Sequence, residues 1–301
     1  MLRCKSRGEG KGETMLAAMY YGPGDVRIEE VPIPELDEDG ILVQVEAATT
    51  CGTDVKTYVR GYWNISTPSR FGHEFSGRIV KLGPRANEGR RLPPLREGMR
   101  VAVANSAPCH GCYYCRIGEL SLCTDIVYLW GAFAEYVAVP GRIVRDNVYQ
   151  IPDSLPALDA CLTEPLACVV HGIEKTNIRL GDTVVINGAG PIGLMFVRLA
   201  KLKGARVISC DLSQSRLEAA QRLGADHVIN VSTVADPIAV VRELTEGRGA
   251  DVAIEAVGLP EVWETTVAMV RRGGIVNLFG GPKTGTVFKL DTNRVHYDAL
   301  T

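Results

Sequence analysis

Four of the nine cysteines crowd into one short segment, which constrains the fold more than any other feature of the sequence. Cys109, Cys112 and Cys115 are separated by two residues each, and Cys123 follows after seven more. Gaps of two residues allow successive thiolates to converge on one tetrahedral ion, and the later cysteine closes the loop over it. Since four protein ligands leave a zinc ion no open position, we predict a structural zinc lobe that carries out no chemistry.

An iron–sulfur cluster is one alternative, because three cysteines with the same spacing also occur in ferredoxins. In those proteins the fourth cysteine usually follows three residues later, before a proline, whereas seven residues precede Cys123 here. Unliganded or paired cysteines are the other alternative, and the tandem spacing argues against them. Cysteines without a secretory signal indicate metal ligands and buried thiols of a reducing compartment, so we expect a cytoplasmic protein.

Length and charge limit the classes of protein to which this chain can belong. With 301 residues it is long enough for two domains, each with its own core. A net charge of −2 and a pI near 6.2 predict no nucleic-acid partner and no anionic membrane. No uncharged apolar run approaches the ~18 residues that span a bilayer. Residues 1–14 are polar and glycine-rich, so we predict a disordered tail before a first strand at Met15.

The two parts of the chain differ in their hydrophobic rhythm. Up to about Ile151, short apolar runs at 41–45, 77–80 and 99–103 are interrupted by Gly, Pro and Asp turns. Strands this short predict a barrel-like, β-rich antiparallel domain from which the cysteine lobe projects. After about Ile173, continuous apolar strands alternate with helices, which is typical of a doubly wound parallel sheet covered on both faces. The fold class is therefore α/β with a boundary near residues 160–175.

A glycine-rich motif directly follows the first apolar strand of the second part and opens a helix. Gly188 permits a tight turn, Gly190 allows the backbone to approach a pyrophosphate, and Gly193 allows the helix to pack closely on the strand. Pro191 suits the first helical turn, where its missing N–H is no loss, and Ile192 follows it. Because the helix N-terminus attracts phosphate, this context predicts a dinucleotide site.

The next strand ends at Asp211, whose position predicts which dinucleotide binds. A carboxylate there can accept both ribose hydroxyls of NAD and would repel the 2′-phosphate of NADP. Arg216 argues in the other direction, since it could pair with a phosphate or stack on adenine. With no second basic residue beside Asp211, we predict NAD as the cofactor rather than NADP.

Two further motifs, Cys51-Gly-Thr-Asp54 and Gly72-His-Glu74, precede the cysteine lobe. Together with the lobe and the glycine-rich motif, they give the chain from Met15 to Thr301 a resemblance to the zinc-dependent medium-chain alcohol dehydrogenase family. The resemblance implies a GroES-like catalytic domain over 15–165, with its zinc lobe at 106–125, and a Rossmann domain over 166–301. It implies two zinc ions per chain, one of them catalytic, and a homodimer or homotetramer.

The resemblance also implies the ligands of the catalytic zinc, which are Cys51, His73 and a residue in the segment that enters the second domain. There a Glu-Pro-Leu sequence begins at Glu164 and resembles the sorbitol and threonine dehydrogenase branch. We therefore expect Glu164 as the third ligand, with Glu74 a direct ligand or a neighbour of one. Cys168 lies one helical turn further and is the alternative donor.

The same resemblance assigns further roles. Asp54 would orient the His73 ring, and the hydroxyl of Thr53 would be the first member of a proton relay. Lys56 stands where family members often carry a histidine, so either Lys56 relays the proton or the path runs through the cofactor ribose and water. Residues at the end of the last strand would approach the nicotinamide, and they are Leu278, Phe279 and Gly280.

The function that follows is oxidation of a secondary alcohol or polyol to a ketone, with hydride transfer to nicotinamide. Threonine 3-dehydrogenase-like and sugar dehydrogenase activities are alternatives. Two rivals come from other classes, a zinc-containing nucleic-acid binder and a catalytically idle NAD-binding relative. The acidic net charge and the single Arg116 between the lobe ligands argue against the first. Since family members continue well beyond the position of Thr301, we also expect the C-terminal end of the second domain to be missing.

Overall fold

The structure is a computed structural model that describes residues 13–301. The chain divides into two compact units, of which the first ends at Pro165 and the second comprises Leu166–Thr301. Residues 1–12 of the predicted tail lie outside the described residues. The first strand begins at Thr14, one residue before the predicted start at Met15.

The first unit is built from antiparallel strands in three sheets. The largest has the order β10-β6-β5-β3-β9, a second has the order β2-β1-β4, and β7 pairs with β8 beside the cysteine lobe. The strands are β1 Thr14–Gly22, β2 Asp25–Pro32, β3 Ile41–Thr49, β4 Ser69–Arg70, β5 Glu74–Leu82, β6 Arg100–Val103, β7 Ser106–Ala107, β8 Val127–Tyr128, β9 Tyr136–Val139 and β10 Val148–Gln150. The helices are α1 Gly52–Arg60, α2 Tyr113–Arg116, α3 Gly141–Asp146 and α4 Ala157–Ala160, with a 3₁₀ turn at Leu120–Leu122.

The core of this unit lies against the five-stranded sheet. Alternate residues of its strands point inward, so Ile41 and Val43 of β3 pack with Phe75 and Ile79 of β5, all of them buried. Gly77 is required in β5 because a Cβ there would lie 2.1 Å from the carbonyl oxygen of Gln44 on β3. This close approach brings the two strands together just before the register shift between Val45 and Ala47, beyond which Thr49 pairs with Glu74 at the candidate site.

The second unit is a parallel sheet between helices. Its strand order is β13-β12-β11-β14-β15, so the order reverses at β11, as in a Rossmann fold. The strands are β11 Thr183–Asn187, β12 Arg206–Asp211, β13 His227–Asn230, β14 Ala250–Glu255 and β15 Val270–Leu278. The helices are α5 Thr163–Lys175, which begins in the first unit, α6 Pro191–Leu202, α7 Gln214–Arg222, α8 Pro237–Leu244, α9 Pro260–Met269 and α10 Thr292–Tyr297.

Both faces of this sheet are covered. Val184 and Ile186 of β11 pack into one apolar cluster and Val185 between them packs into the other, which explains the continuous apolar strand. The doubly wound parallel sheet predicted from the alternation is confirmed. The prediction lacked β13 and α8, because β13 is a short edge strand with only Ile229 fully buried and carries a weak apolar signal. Across residues 13–301, no helix has the length and apolar character needed to cross a membrane.

Candidate functional site

Three metal-binding side chains meet where β3 ends and β5 begins. Thr49 at the end of β3 pairs with Glu74 at the start of β5, and Cys51 follows as the N-cap of α1. This pairing brings Cys51 beside His73 and Glu74, so that one ligand atom of each lies within 4.8 Å of the others. His73 and Glu74 are each only 4% exposed. A thiol, an imidazole and a carboxylate are the donor types that zinc prefers in proteins.

Asp54 lies behind these three residues and orients two of them. Its Oδ1 atom is 3.0 Å from Nδ1 of His73, and its Oδ2 atom accepts a hydrogen bond from the backbone N–H of Cys51 at 2.9 Å. The side chain of Asp54 is 1% exposed, so its two carboxylate oxygens bind these protein groups rather than solvent. Because Nδ1 is engaged by Asp54, a metal would be bound through Nε2 of His73.

The electrostatics of the group favour a cation. Burial disfavours the charged imidazole, but hydrogen bonds with Asp54 and Cys51 outweigh burial and raise the pKa of His73 from 6.5 to about 10. Negative charge on the same two neighbours would also favour a divalent ion at this position. The residues present therefore fit a zinc ion.

Glu74 has a second role besides its place in the group. Its Oε2 atom accepts a hydrogen bond from the hydroxyl of Thr49 at 2.7 Å, which orients the carboxylate.

Glu164 and Cys168 lie on α5, with Glu164 in its first turn. Among residues 13–301, the group formed by Cys51, His73 and Glu74 includes neither of them. Ligation by Glu164 stays a prediction. Thr53 lies in the first turn of α1 and donates its backbone N–H to Sγ of Cys51 at 3.3 Å.

An aromatic wall that the sequence analysis did not identify adjoins His73. The Trp130 ring meets the His73 ring edge to face at 5.2 Å and the Tyr62 ring at 6.2 Å. Trp63 stacks at a tilt on Tyr62 and is 78% exposed. No sequence spacing relates Trp130 to His73, so only the tertiary fold reveals this wall.

The four cysteines of the lobe converge as their spacing predicts. Their sulfur atoms all lie within 4.8 Å of one another, with 3.5 Å between Cys112 and Cys115 and 4.0 Å between Cys109 and Cys115. Zinc–sulfur bonds of about 2.3 Å in a tetrahedron place the sulfurs about 3.8 Å apart, so the set fits a closed zinc site. All four cysteines are free thiols rather than disulfides.

Backbone amides donate to these sulfurs and favour the thiolate form of Cys109 and Cys112, whose pKa values they lower. The N–H groups of Gly111 and Cys112 donate to Cys109, and that of Asp125 donates to Cys123, at 3.3–3.4 Å. Amides of Cys115 and Thr124 lower the pKa of Cys112 to about 5. Desolvation and the neighbouring thiols raise the pKa of Cys115 to about 12. With Cys115 a thiol in the metal-free lobe, four thiolates could form together only around a cation.

The glycine-rich loop joins β11 to α6 in the second unit. Gly188 has a φ of +102°, which favours glycine, and Gly190 is the N-cap of α6 with Pro191 at the first helical position. A Cβ at Gly193 would lie 1.8 Å from the carbonyl oxygen of Gly188, whereas a Cβ at Gly190 would meet nothing within 4 Å. Ile192 packs against the core. The space beside Gly190 at the N-terminus of α6 is thus open, as phosphate binding at a helix N-terminus requires.

Asp211 at the end of β12 accepts hydrogen bonds within the protein that its sequence position did not predict. Its Oδ2 atom accepts the backbone N–H of Ala189 at 2.7 Å, and Oδ1 accepts that of Ser213 at 2.8 Å. Arg216 lies 3.8 Å from the same carboxylate. Asp211 therefore ties the glycine-rich loop to β12, in addition to any contact with a ribose.

The residues predicted to approach the nicotinamide lie at the end of β15, at the same edge of the sheet as the glycine-rich loop and Asp211. β15 ends at Leu278, and the Phe279 ring packs on Phe196 of α6 at 5.0 Å. The backbone N–H groups of Phe279 and Gly280 donate to the carbonyl of Glu255 at the end of β14. Since β11, β12, β14 and β15 are parallel, their carboxyl ends meet at one edge, where dinucleotides bind in this fold.

Comparisons with known proteins agree with this arrangement. Residues 37–153 match the model of the alcohol dehydrogenase GroES-like domain, and residues 191–301 match that of the zinc-binding dehydrogenase domain. The chain is 34% identical over 284 residues to sorbitol dehydrogenase of Bacillus subtilis, covering 91% of this chain and 77% of that protein. It is 37% identical over 289 residues to L-threonine 3-dehydrogenase of Symbiobacterium thermophilum, covering 93% and 78%.

Solved structures give the same result. A zinc-binding dehydrogenase of Sinorhizobium meliloti bound to NADP superposes with a TM-score of 0.86 at 30% identity, covering 96% of this chain and 83% of that one. The chain therefore belongs to the zinc-dependent alcohol dehydrogenase family, a family of oxidoreductases with a GroES-like and a Rossmann domain. The resemblance and the fold class predicted from the sequence are confirmed.

Proposed function

We propose that this protein oxidises a secondary alcohol or polyol to a ketone and transfers the hydride to NAD. The observation that carries the proposal is the group of Cys51, His73 and Glu74 in a chain that also has the glycine-rich loop at Gly188. The relationship to sorbitol dehydrogenase and L-threonine 3-dehydrogenase supports a substrate with a secondary hydroxyl.

Cys51, His73 and Glu164 would hold the catalytic zinc, with Glu74 beside them or as a fourth donor. When bound, zinc supplies Lewis-acid chemistry that lowers the pKa of a coordinated hydroxyl. The four lobe cysteines would hold a second, structural zinc, which gives two ions per chain. Both donor sets are of the types that zinc binds.

The chain's own residues position the reaction. Asp54 holds the His73 ring in one orientation through Nδ1. The hydroxyl of Thr53 would take up the proton that the substrate hydroxyl loses and release its own. That proton would leave either through Lys56 in its neutral form, three residues further along α1, or through the cofactor ribose and water. NAD, when bound, would supply the acceptor for the hydride that the carbinol carbon loses, so that the products would be the ketone and NADH. The Trp130 ring packs against the His73 ring and would cover that side of it, with Tyr62 on the Trp130 ring.

The glycine-rich loop and the N-terminus of α6 would bind the pyrophosphate, and Leu278, Phe279 and Gly280 would face the nicotinamide half. The carboxylate at the end of β12 supports NAD over NADP, because Asp211 would repel a 2′-phosphate. The NADP-bound relative makes NADP the alternative, and Arg216 beside Asp211 would be the residue that receives the phosphate.

A steady-state assay tests this function. The zinc-loaded protein is supplied with NAD or NADP and with sorbitol, 2,3-butanediol, threonine and sugar substrates in turn, and reduced cofactor is followed at 340 nm. We expect turnover with NAD on at least one secondary alcohol and its loss in Cys51→Ser. Zinc analysis distinguishes this enzyme from a catalytically idle NAD-binding relative. The idle relative would show no turnover and would contain one zinc ion that survives Cys51→Ser. Sedimentation of the same sample tests the proposed homodimer or homotetramer.

A further inference from the structure

Glu255 ends β14 at the carboxyl edge of the parallel sheet and is 0% exposed. Its carboxylate accepts three hydrogen bonds. Oε1 receives the backbone N–H groups of Val257 and Gly258, both at 2.7 Å, and Oε2 receives the indole N–H of Trp263 at 2.8 Å. Since every partner is a donor, the carboxylate fits its surroundings as the ionised, acceptor-only group.

The backbone of Glu255 links a second segment. Its carbonyl oxygen accepts the N–H groups of Phe279 at 3.1 Å and Gly280 at 3.0 Å. A Cβ at Gly280 would lie 2.6 Å from Oε2 of Glu255, so the segment after β15 lies directly against the carboxylate. One residue therefore holds both the turn after β14 and the end of β15.

The turn held by Glu255 also packs on the glycine-rich loop. The N–H of Ala256 donates to the carbonyl of Asn187 at 2.8 Å. A Cβ at Gly188 would lie 2.8 Å from Cγ2 of Val257, which places the Val257 side chain over that glycine. The 256–258 turn thus bridges the glycine-rich loop and the Leu278–Gly280 segment, the two parts of the proposed dinucleotide site.

We propose that Glu255 is a positioning residue for the cofactor, because its carboxylate fixes the 256–258 turn between the glycine-rich loop and the end of β15. The inference rests on the proposed function, since it requires a dinucleotide at this edge. Glu255 itself touches no reacting atom and acts through Val257, Gly258 and Gly280.

The test substitutes the carboxylate by its amide. In Glu255→Gln the amide oxygen can still accept the two backbone N–H groups, but the NH₂ group then faces the indole N–H of Trp263, donor against donor. We expect about tenfold weaker NADH binding, which corresponds to ~1.4 kcal/mol. The double variant Glu255→Gln with Trp263→Phe removes the opposing donor. Because it also removes the 3.2 Å hydrogen bond from the indole N–H to the carbonyl of Gly280, we expect it to recover binding only to within about threefold of wild type.

Asp251→Asn is the matched control. Asp251 lies on the same strand at its other end, where it accepts hydrogen bonds from Thr183 and Arg271. This variant weakens the same sheet far from the cofactor edge. We expect it to lower the melting temperature and to leave the dissociation constant for NADH unchanged.

Titration of each protein with NADH and with NADPH, followed by nicotinamide fluorescence, decides the outcome. A selective loss in Glu255→Gln with recovery in the double variant supports the inference. Unchanged binding in Glu255→Gln, or an equal loss in Asp251→Asn, overturns it while the proposed function stands. Wild-type protein that binds neither dinucleotide overturns the proposed function and the inference with it. If Glu255→Gln is insoluble, Trp263→Phe alone should weaken binding about threefold, and unchanged binding overturns the inference.

Discussion

The carboxylate of Asp54 contacts the imidazole of His73 through Oδ1 and Nδ1, 3.0 Å apart, with both side chains almost fully buried. The other oxygen of the same carboxylate caps α1 at Cys51. Asp54 therefore links the N-cap of α1, which carries the thiol, to the residue before β5, which carries the imidazole. It controls the geometry of the candidate zinc site although it offers no ligand of its own.

Asp54→Asn should weaken the catalytic zinc without removing a ligand. An amide can present its NH₂ group to Nδ1 and so disturb the tautomer that offers Nε2 to the metal. We expect zinc affinity to fall about 10- to 100-fold, and turnover to fall with it unless excess zinc is supplied. Competition with a chelator, followed by metal analysis, measures the change.

The matched control for this substitution is Asp25→Asn, an acid-to-amide change in an exposed pair with Arg27 in the same unit. It should keep wild-type zinc affinity. If Asp54→Asn keeps its zinc at every chelator concentration that wild type tolerates, Asp54 does not orient the ligand.

The elements that could be predicted from the sequence are those that depend on residues close to one another along the chain. The lobe cysteines lie a few residues apart, so short chain connections bring their sulfurs together. The glycine-rich loop likewise depends on a turn and a helix start within one stretch of chain. The central strands of the parallel sheet could be predicted because residues such as Val184 and Val185 are buried on opposite faces.

The remaining parts of the site depend on contacts distant in sequence. Cys51 and His73 meet because Thr49 pairs with Glu74, a register that periodicity alone does not determine. The family resemblance supplied that pair. Trp130 beside His73 and the network around Glu255 were missed, since an isolated Trp or a strand-end Glu carries no spacing signal.

The two cysteine sites should respond differently to loss of one thiol. Cys112→Ser removes one of four ligands that hold the lobe together, and we expect loss of one zinc, a lower melting temperature and loss of activity through unfolding. Cys51→Ser should lose the other zinc and all turnover while the melting temperature stays within a few degrees of wild type. Metal analysis and calorimetry on both variants check the contrast. Equal melting temperatures would show that the lobe does not depend on its metal.

Two glycines of the same loop should separate folding from cofactor binding. A methyl group at Gly193 would lie 1.8 Å from the carbonyl oxygen of Gly188, so Gly193→Ala should destabilise the second unit by about 1–3 kcal/mol or more, the cost of overpacking. A methyl at Gly190 meets no atom within 4 Å, so Gly190→Ala should fold normally. It would, however, occupy the surface where the pyrophosphate is proposed to bind, and NADH affinity should fall at least tenfold. Normal NADH binding by Gly190→Ala would place the pyrophosphate elsewhere.

Asp251 should make the stability of the second unit dependent on pH in a predictable direction. Burial alone would raise its pKa, but hydrogen bonds from Arg271 and from the backbone of Thr183 outweigh burial and lower the pKa of Asp251 below its ordinary 3.8. A carboxyl group with a lowered pKa in the folded state stabilises the fold above pH 3.8, and the contribution is lost as the pH falls towards the folded pKa.

We expect Asp251→Asn to lower the free energy of unfolding by about 1–2 kcal/mol near pH 7. The difference from wild type should stay constant down to about pH 5 and shrink below pH 4, because wild type then loses the same charge. Urea unfolding of both proteins across this range measures the difference, in which effects common to both proteins, such as zinc release, cancel. A difference that grows as the pH falls would mean that the folded-state pKa of Asp251 is raised rather than lowered.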